Sequence, residues 1–223
     1  MKTSALLSSA LALTLASPLA MAHKEGDFIV RAGAAVVAPQ DDSSAVRVNG
    51  SAVPGSKATI DNNTQLGLTL SYMLTDHIGI ELLAATPFKH QVKVSGVAPG
   101  IDGRLAEFKH LPPTLSLQYF PLAPDSKWQP YIGAGINYTR FFDEGFSRAQ
   151  RANGFSGLEL DESWGLSLQL GTDYMLTDRL MVNAALWYVD IDTTATARLG
   201  TSKVAVDVDV APWVFMVGLG YRF

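Results

Sequence analysis

The chain has 223 residues, 17 Lys plus Arg against 21 Asp plus Glu, a net charge of -4 and no cysteine. That length suits a single domain, the absent thiols exclude disulfide scaffolds and Cys-ligated zinc or redox centres, and the acidic balance argues against nucleic acid as a partner. Hydrophobic residues make up 48% and charged residues 17%, yet no stretch beyond residue 22 offers the ~18 uninterrupted apolar residues of a membrane helix.

Residues 1–22 read as a secretory signal and 23–223 as the folded domain. Lys2 supplies the positive start, Ala5 to Ala16 the apolar stretch, and Ala20-Met21-Ala22 a small-x-small cleavage site. With no cysteine and no second long apolar run, the expected destination is the periplasm, the exterior or an outer-membrane barrel.

From there the period is two. A first strand is predicted from Asp27 to Val37, with Phe28, Val30 and Val36 on its apolar face and Arg31 opposite. The second, from Thr64, sets Leu66, Leu68, Leu70 and Tyr72 against Gln65, Gly67, Thr69 and Ser71. The third runs from Ile78 to Val94. In the fourth, Leu115, Leu117 and Tyr119 oppose Ser116 and Gln118; in the fifth, Ile132, Ala134, Ile136 and Tyr138 oppose Gly133, Gly135, Asn137 and Thr139. The sixth sets Leu166, Leu168, Leu170 and Tyr174 against Ser167, Gln169, Gly171 and Asp173. The seventh spans Leu180 to Thr194 and the eighth Val204 to Phe223. In the eighth, Val204, Val206 and Val208 are even, whereas Phe215, Val217, Leu219 and Tyr221 are odd, so a bulge is expected near Pro212.

Three short turns (Leu74 to His77, Pro121 to Trp128, Leu176 to Arg179) alternate with longer Gly-, Ser- and Asp-rich loops (Ala38 to Asn63, Ser95 to Arg104, Asp143 to Gly157, Ala195 to Lys203). The fold expected is all-β: an eight-stranded antiparallel transmembrane β-barrel in the bacterial outer membrane. Tyr72 and Tyr174, each opening a Tyr-Met-Leu-Thr-Asp segment, belong to an aromatic girdle. A soluble barrel would set the small polar face in water, but that face carries few Lys or Glu and suits a narrow lumen better. The last strand ends on Tyr221 and Phe223, a terminal aromatic pattern that resembles the signal read by the outer-membrane barrel assembly machinery.

Several longer stretches resemble the outer membrane protein W (OmpW) family. They are Asn62 to Leu70, Ile80 to Phe88, His110-Leu-Pro-Pro-Thr114, Pro130 to Tyr138, Asp161 to Trp164, Trp187 to Thr194, Pro212 to Met216 and Gly220-Tyr-Arg-Phe223. Loops Ala38 to Ile60 and Arg148 to Gly157 carry no matching motif. The resemblance implies an eight-stranded barrel with a narrow, largely hydrophobic path closed toward the periplasm. It implies a passive conduit for small hydrophobic or amphiphilic molecules, with lateral release through a wall opening. Some members are implicated as phage or colicin receptors and in stress responses.

Parity adds an independent handle. Glu81 should face the lumen, because a carboxylate in lipid is costly, and Leu83 shares its parity. Asn183 marks the lumen face of the seventh strand, and Trp187 shares its parity. Leu83 and Trp187 therefore project into a narrow interior, where they are either a hydrophobic constriction or plain filling. By motif they match the family's proposed constriction. Pro112 and Pro113 remove two backbone donors from one strand, so they either kink it above the membrane or, as the family reading has it, mark the lateral opening.

Asp190-x-Asp192 and Asp207-x-Asp209 read as solvated rim charges rather than a cation site. His23, His77, His90 and His110 fall at no zinc-like spacing. No metal, cofactor or catalytic residue is expected: a histidine and an Asp could supply half of a hydrolytic site, but no serine partner is evident. Expected partners are outer-membrane lipid and lipopolysaccharide, the barrel assembly machinery and small hydrophobic solutes. A monomer is the default, since a closed barrel has no free edge. The competing reading is a structural or receptor barrel without transport, which would have a sealed, polar, ion-paired lumen.

Overall fold

The computed structural model describes residues 23–40 and 42–223, so the expected signal segment lies outside the described residues. In chain order the elements are β1 (Phe28–Ala38), β2 (Asp42–Ser43), β3 (Arg47–Val48), β4 (Ser51–Ala52), β5 (Lys57–Ile60), β6 (Asn63–Met73), β7 (Ile78–Ala85), β8 (Phe88–Ser95), β9 (Gly103–Leu111), β10 (Thr114–Tyr119) and β11 (Trp128–Phe146). After them come α1 (Arg148–Ala152), β12 (Phe155–Leu160), β13 (Ser163–Met175), β14 (Leu180–Val189), β15 (Asp192–Leu199), β16 (Ser202–Asp209) and β17 (Trp213–Arg222).

Eight of these strands close a ring. Antiparallel neighbours run β1, β6, β7, β10, β11, β13, β14, β17 and back to β1, with the β10–β11 pairing completing the wall. At 11 residues each, β1 and β6 have the length a tilted strand needs to cross a bilayer, ~9–11 residues. Gly33 of β1 stands opposite Gly67 of β6 and Gly218 of β17. A Cβ on Gly33 would meet the Val217 carbonyl oxygen at 2.2 Å, so backbone fills the space a side chain would need.

The dyad pattern decides what faces out. Leu66, Leu68 and Leu70 of β6, Leu166, Leu168 and Leu170 of β13, and Val217 and Leu219 of β17 form an exposed apolar belt. Aromatic rings bound it on both sides. Phe28, Tyr72, Tyr119, Trp128, Tyr174 and Tyr221 ring the short-turn end. The tilted ring pairs Tyr138–Trp164 and Tyr188–Trp213 mark the other end, with centroids 4.7 Å and 5.2 Å apart. Inside the belt, Arg31, Ser71, Glu81, Gln118, Gln169, Asp173 and Asn183 are buried. Lipid outside demands apolar atoms, and the polar faces must satisfy one another within.

Beyond the long-loop end of the belt the polarity reverses. The wall continues as β5, β8, β9 and the end of β11 on one side, and as β12, β15, β16, β3 and β4 on the other. On β8 and β9, Lys89, Lys93, Glu107 and Lys109 point outward while His90, Val94, Ala106, Phe108 and His110 are buried. This part of the wall stands in water, so its apolar face turns to the lumen.

That reversal corrects the expected bulge at Pro212. Val204 and Val206 line an internal cavity, and Val208, Val210, Val214 and Met216 are buried, so the even positions face inward throughout. The strand instead breaks between β16 and β17, where Ala211 takes a φ of 26°. The single third strand from Ile78 to Val94 is likewise two strands, interrupted at Thr86 and Pro87, and the seventh is interrupted at Asp190 and Ile191. The expected Ala195 to Lys203 loop is a hairpin of β15 and β16, turning at Gly200 with φ 59°. Short strands also occupy the expected Ala38 to Asn63 loop. The Asp143 to Gly157 loop holds α1, capped by Ser147, whose hydroxyl accepts from the Gln150 amide at 3.3 Å.

Candidate functional site

The lumen has three levels. At the short-turn end an ionic network fills it. Arg31 is fully buried; its Nε donates to Asp173 Oδ1 at 2.9 Å and its Nη2 to Asp173 Oδ2 at 2.5 Å. Its Nη1 donates to Ser71 Oγ at 2.7 Å and to Glu81 Oε2 at 3.1 Å. Gln169 Nε2 donates to Glu81 Oε1 at 2.7 Å, Asn183 Nδ2 to Asp173 Oδ1 at 2.9 Å, and His23 Nε2 lies 2.9 Å from Asp173 Oδ2. Tyr131 lies under the guanidinium at 5.4 Å, with Phe120 beside it at 5.1 Å. Bidentate geometry and saturated carboxylates make such a buried network tenable and leave little room for a solute.

Above the plug sits a small apolar cavity of about 20 Å³. Leu83, Phe88, His110, Val189, Ile191 and Val214 contribute to its lining, as do Ala84 and Pro112 from the wall itself. Here the sheet is interrupted. Between the β7–β8 edge and the β9–β10 edge, register runs to Leu83↔Thr114 and resumes at Phe88↔His110. Residues 84–87 and 111–113 have no registered partners across that seam, and prolines flank it on both lips: Pro87 on one, Pro112 and Pro113 on the other. Toward β11 the break is closed. Asn137 Nδ2 donates to the Pro112 carbonyl at 3.1 Å and the Pro113 carbonyl at 3.2 Å, and the Tyr138 amide donates to the Pro113 carbonyl at 3.1 Å. These donors answer the cost of leaving carbonyls unpaired beside lipid.

An aromatic cluster roofs the cavity. Phe88, His90, Phe108, His110 and Phe141 pack ring to ring, with Phe88–His110 at 5.5 Å, His90–His110 at 4.9 Å and Phe108–Phe141 at 5.6 Å. Burial, and then the neighbouring His90 ring, push the His110 imidazole down to about 3. Burial also lowers His90, against the raising effect of the Asp61 backbone. Both rings are therefore neutral at ordinary pH. Over this cluster opens the third level, an apolar gorge of about 90 Å³ enclosed by β5, β8, β9, β12, β15 and β16. Val46, Val92, Phe108, Phe146, Leu160 and Val206 are among its walls, with Thr193 the lone hydroxyl residue. A cavity so lined excludes water and accepts an apolar guest.

Leu83 and Trp187 both lie inside, 6% and 0% exposed, in one apolar cluster with Phe88, Phe108 and Phe141. Leu83 reaches the lower cavity, whereas Trp187 is packed away from its lining. Pro112 and Pro113 sit at the seam. Tyr221 and Phe223 are exposed at the short-turn end, their rings 4.9 Å apart. Asp192 and Asp209 face each other across β15 and β16 in an open acidic cleft. Among the described residues, no group of three or more His, Asp or Glu side chains is placed to hold a metal ion. The lower level of the lumen is polar and ion-paired, and the apolar linings lie above it. Sequence reasoning did not single out the plug, the Phe88–Phe108–Phe141 roof or Pro87. Arg31 and Asp173, charges on otherwise small polar strand faces, were the legible signal for the plug.

The OmpW family model matches residues 24–223. Outer membrane protein W of Vibrio cholerae serotype O1 is 49% identical over 209 residues, covering 94% of each chain. Outer membrane protein W of Escherichia coli K12 is 46% identical over 210 residues, again covering 94% of each. The crystal structure of OprG from Pseudomonas aeruginosa superposes with a TM-score of 0.87 at 53% identity, covering 90% of this chain and 97% of that one. With a closed eight-stranded wall, an apolar belt and this kinship over nearly its whole length, the chain belongs to the OmpW family and is a β-barrel of the outer membrane.

Proposed function

We propose that the barrel is a passive, non-enzymatic conduit for small hydrophobic or amphiphilic molecules. A solute enters the apolar gorge from outside, passes the aromatic roof and leaves sideways through the seam beside Pro112. The observation that carries this reading is the lower cavity: its lining includes both lips of the seam, and one of them, Ala84, is exposed on the outer wall. The plug below supports lateral release, since a solute meeting Arg31, Asp173 and Glu81 would have to break their hydrogen bonds to continue. Leu83, at the inner side of the cavity, narrows the way and, with Trp187 behind it, keeps the centre dry.

The test is uptake of a small hydrophobic compound into liposomes containing the purified barrel, beside a Pro112→Ala/Pro113→Ala variant. Uptake above empty liposomes that falls in the variant supports release through the seam. Equal flux in all three samples, with folding verified by the heat-dependent gel shift, sinks the conduit. A structural or receptor barrel would then remain, a reading that the ion-paired plug favours.

A further inference from the structure

His90 and His110 are out of keeping with their surroundings. Both side chains are nine-tenths or more buried, and apart from each other the rings they pack against are Phe88, Phe108 and, for His110, Phe141. Phenylalanine at either position would pack the roof without leaving a polar atom in it. Instead, Nε2 of each imidazole is buried with no hydrogen-bond partner, a costly arrangement when nothing occupies the space.

The hydrogen-bond pattern says what would satisfy His90. His90 Nδ1 lies 2.6 Å from the Asp61 carbonyl oxygen. A carbonyl only accepts, so Nδ1 carries the proton and, in a neutral ring, Nε2 is a bare acceptor. The other charged and polar groups nearby do not fill this role. Asp61 offers a carboxylate 3.8 Å from Nδ1 and is itself an acceptor. Lys89 and Lys109 point outward and pair with Glu107 and Asp143. The Thr114 hydroxyl is bonded to the Pro112 carbonyl.

Position supplies the second half of the argument. Phe108 lines the gorge above, while Phe88 and His110 line the cavity beside the seam. A molecule moving between the two passes the imidazoles. We propose that His90 and His110 form a hydrogen-bond station in the apolar path that receives the donor head group, a hydroxyl or an un-ionised carboxyl, of a neutral amphiphile. The station rests on the conduit reading and narrows its cargo. Alcohols and undissociated acids are favoured over alkanes of the same length, and carboxylate anions, which bring only acceptors, are disfavoured.

The experiment uses the barrel with 15N-labelled histidine in lipid nanodiscs, titrated with 1-decanol or n-decane. The His90 and His110 signals are assigned from His90→Phe and His110→Phe. Decanol should move an Nε2 resonance toward its hydrogen-bonded position, and decane should leave it in place. In liposome flux, the native barrel should favour decanol over decane about fivefold, the worth of one neutral hydrogen bond, and the double Phe variant should lose that preference. Nε2 resonances that ignore decanol, or that answer both compounds alike, overturn the station. Decane flux reports on the conduit separately, and the resonance shift itself is read in the native barrel.

Discussion

Arg31 is the residue on which the closed end of the lumen depends. Two carboxylates reach its guanidinium inside the bilayer span, and removing one partner of such a group leaves the others charged and unpaired. Arg31→Ala should lower the unfolding free energy by ~3–5 kcal/mol, measured by urea titration in lipid vesicles. Lys109→Ala, which loses an exposed pair with Asp143 at 2.9 Å, should change it by less than ~1 kcal/mol. His110 makes a pH prediction. Its folded value of about 3 lies below the usual 6.5, so the unfolded chain binds the proton first. The stability of the outer half is then complete above pH 6.5 and declines as pH falls from 6.5 toward 3. Protease nicking of the loops across that range should show the decline in the native barrel and a weaker one in His110→Phe, which lacks this contribution.

At the scale of elements, the breaks between paired strands separate two environments. β7 gives way to β8, β9 to β10 and β16 to β17 at Pro87, Pro112–Pro113 and Pro212, where missing amide donors interrupt the ladder. Below these breaks the wall faces lipid; above, it faces water. The aromatic roof lies just above the seam and bars the way to it. Phe108→Ala, which removes a ring shared by the roof and the gorge wall, should raise the flux of a hydrophobic solute, read in the same liposome assay. A flux unchanged or lower would place the barrier elsewhere, with Leu83 the next residue to shorten. Near the barrel waist, Gly218→Ala would set a Cβ 2.1 Å from the Ala32 carbonyl oxygen. A loss of ~1–3 kcal/mol is expected from such overpacking, seen as a lower temperature of the heat-dependent gel shift.

The whole molecule is a barrel plugged by polar groups at its short-turn end and apolar inside from Leu83 and Trp187 up through the wall that rises above the membrane. Closure joins the first and last barrel strands, and the Phe223 amide donates to the Phe28 carbonyl at 2.9 Å beyond the last registered pair. The Phe223 ring remains exposed at the short-turn end, where a second protein can reach it during assembly. Deleting Phe223 should reduce the amount of folded barrel in outer-membrane fractions while leaving in vitro refolding in detergent nearly unchanged. An equal loss in both would make Phe223 a structural residue rather than an assembly signal.

The sequence by itself determined the barrel, because a period of two is local. Leu66-Gly67-Leu68-Thr69-Leu70 states which face meets lipid without reference to any other strand. It also placed Glu81, Leu83, Asn183 and Trp187 inside, by parity alone. What it could not carry was the sense of that parity beyond the lipid. The valines of β16 looked like a slipped lipid face because alternation records only that two faces differ, whereas the solvent on each side depends on how far the wall rises above the membrane. The partners of the plug were equally out of reach. Arg31 and Asp173 are separated by 142 positions and meet only when the ring closes, whereas the two histidines of the roof meet across the pairing of β8 with β9. Local alternation is written in consecutive residues; the compartments and their contents exist only once strands distant in sequence are set side by side.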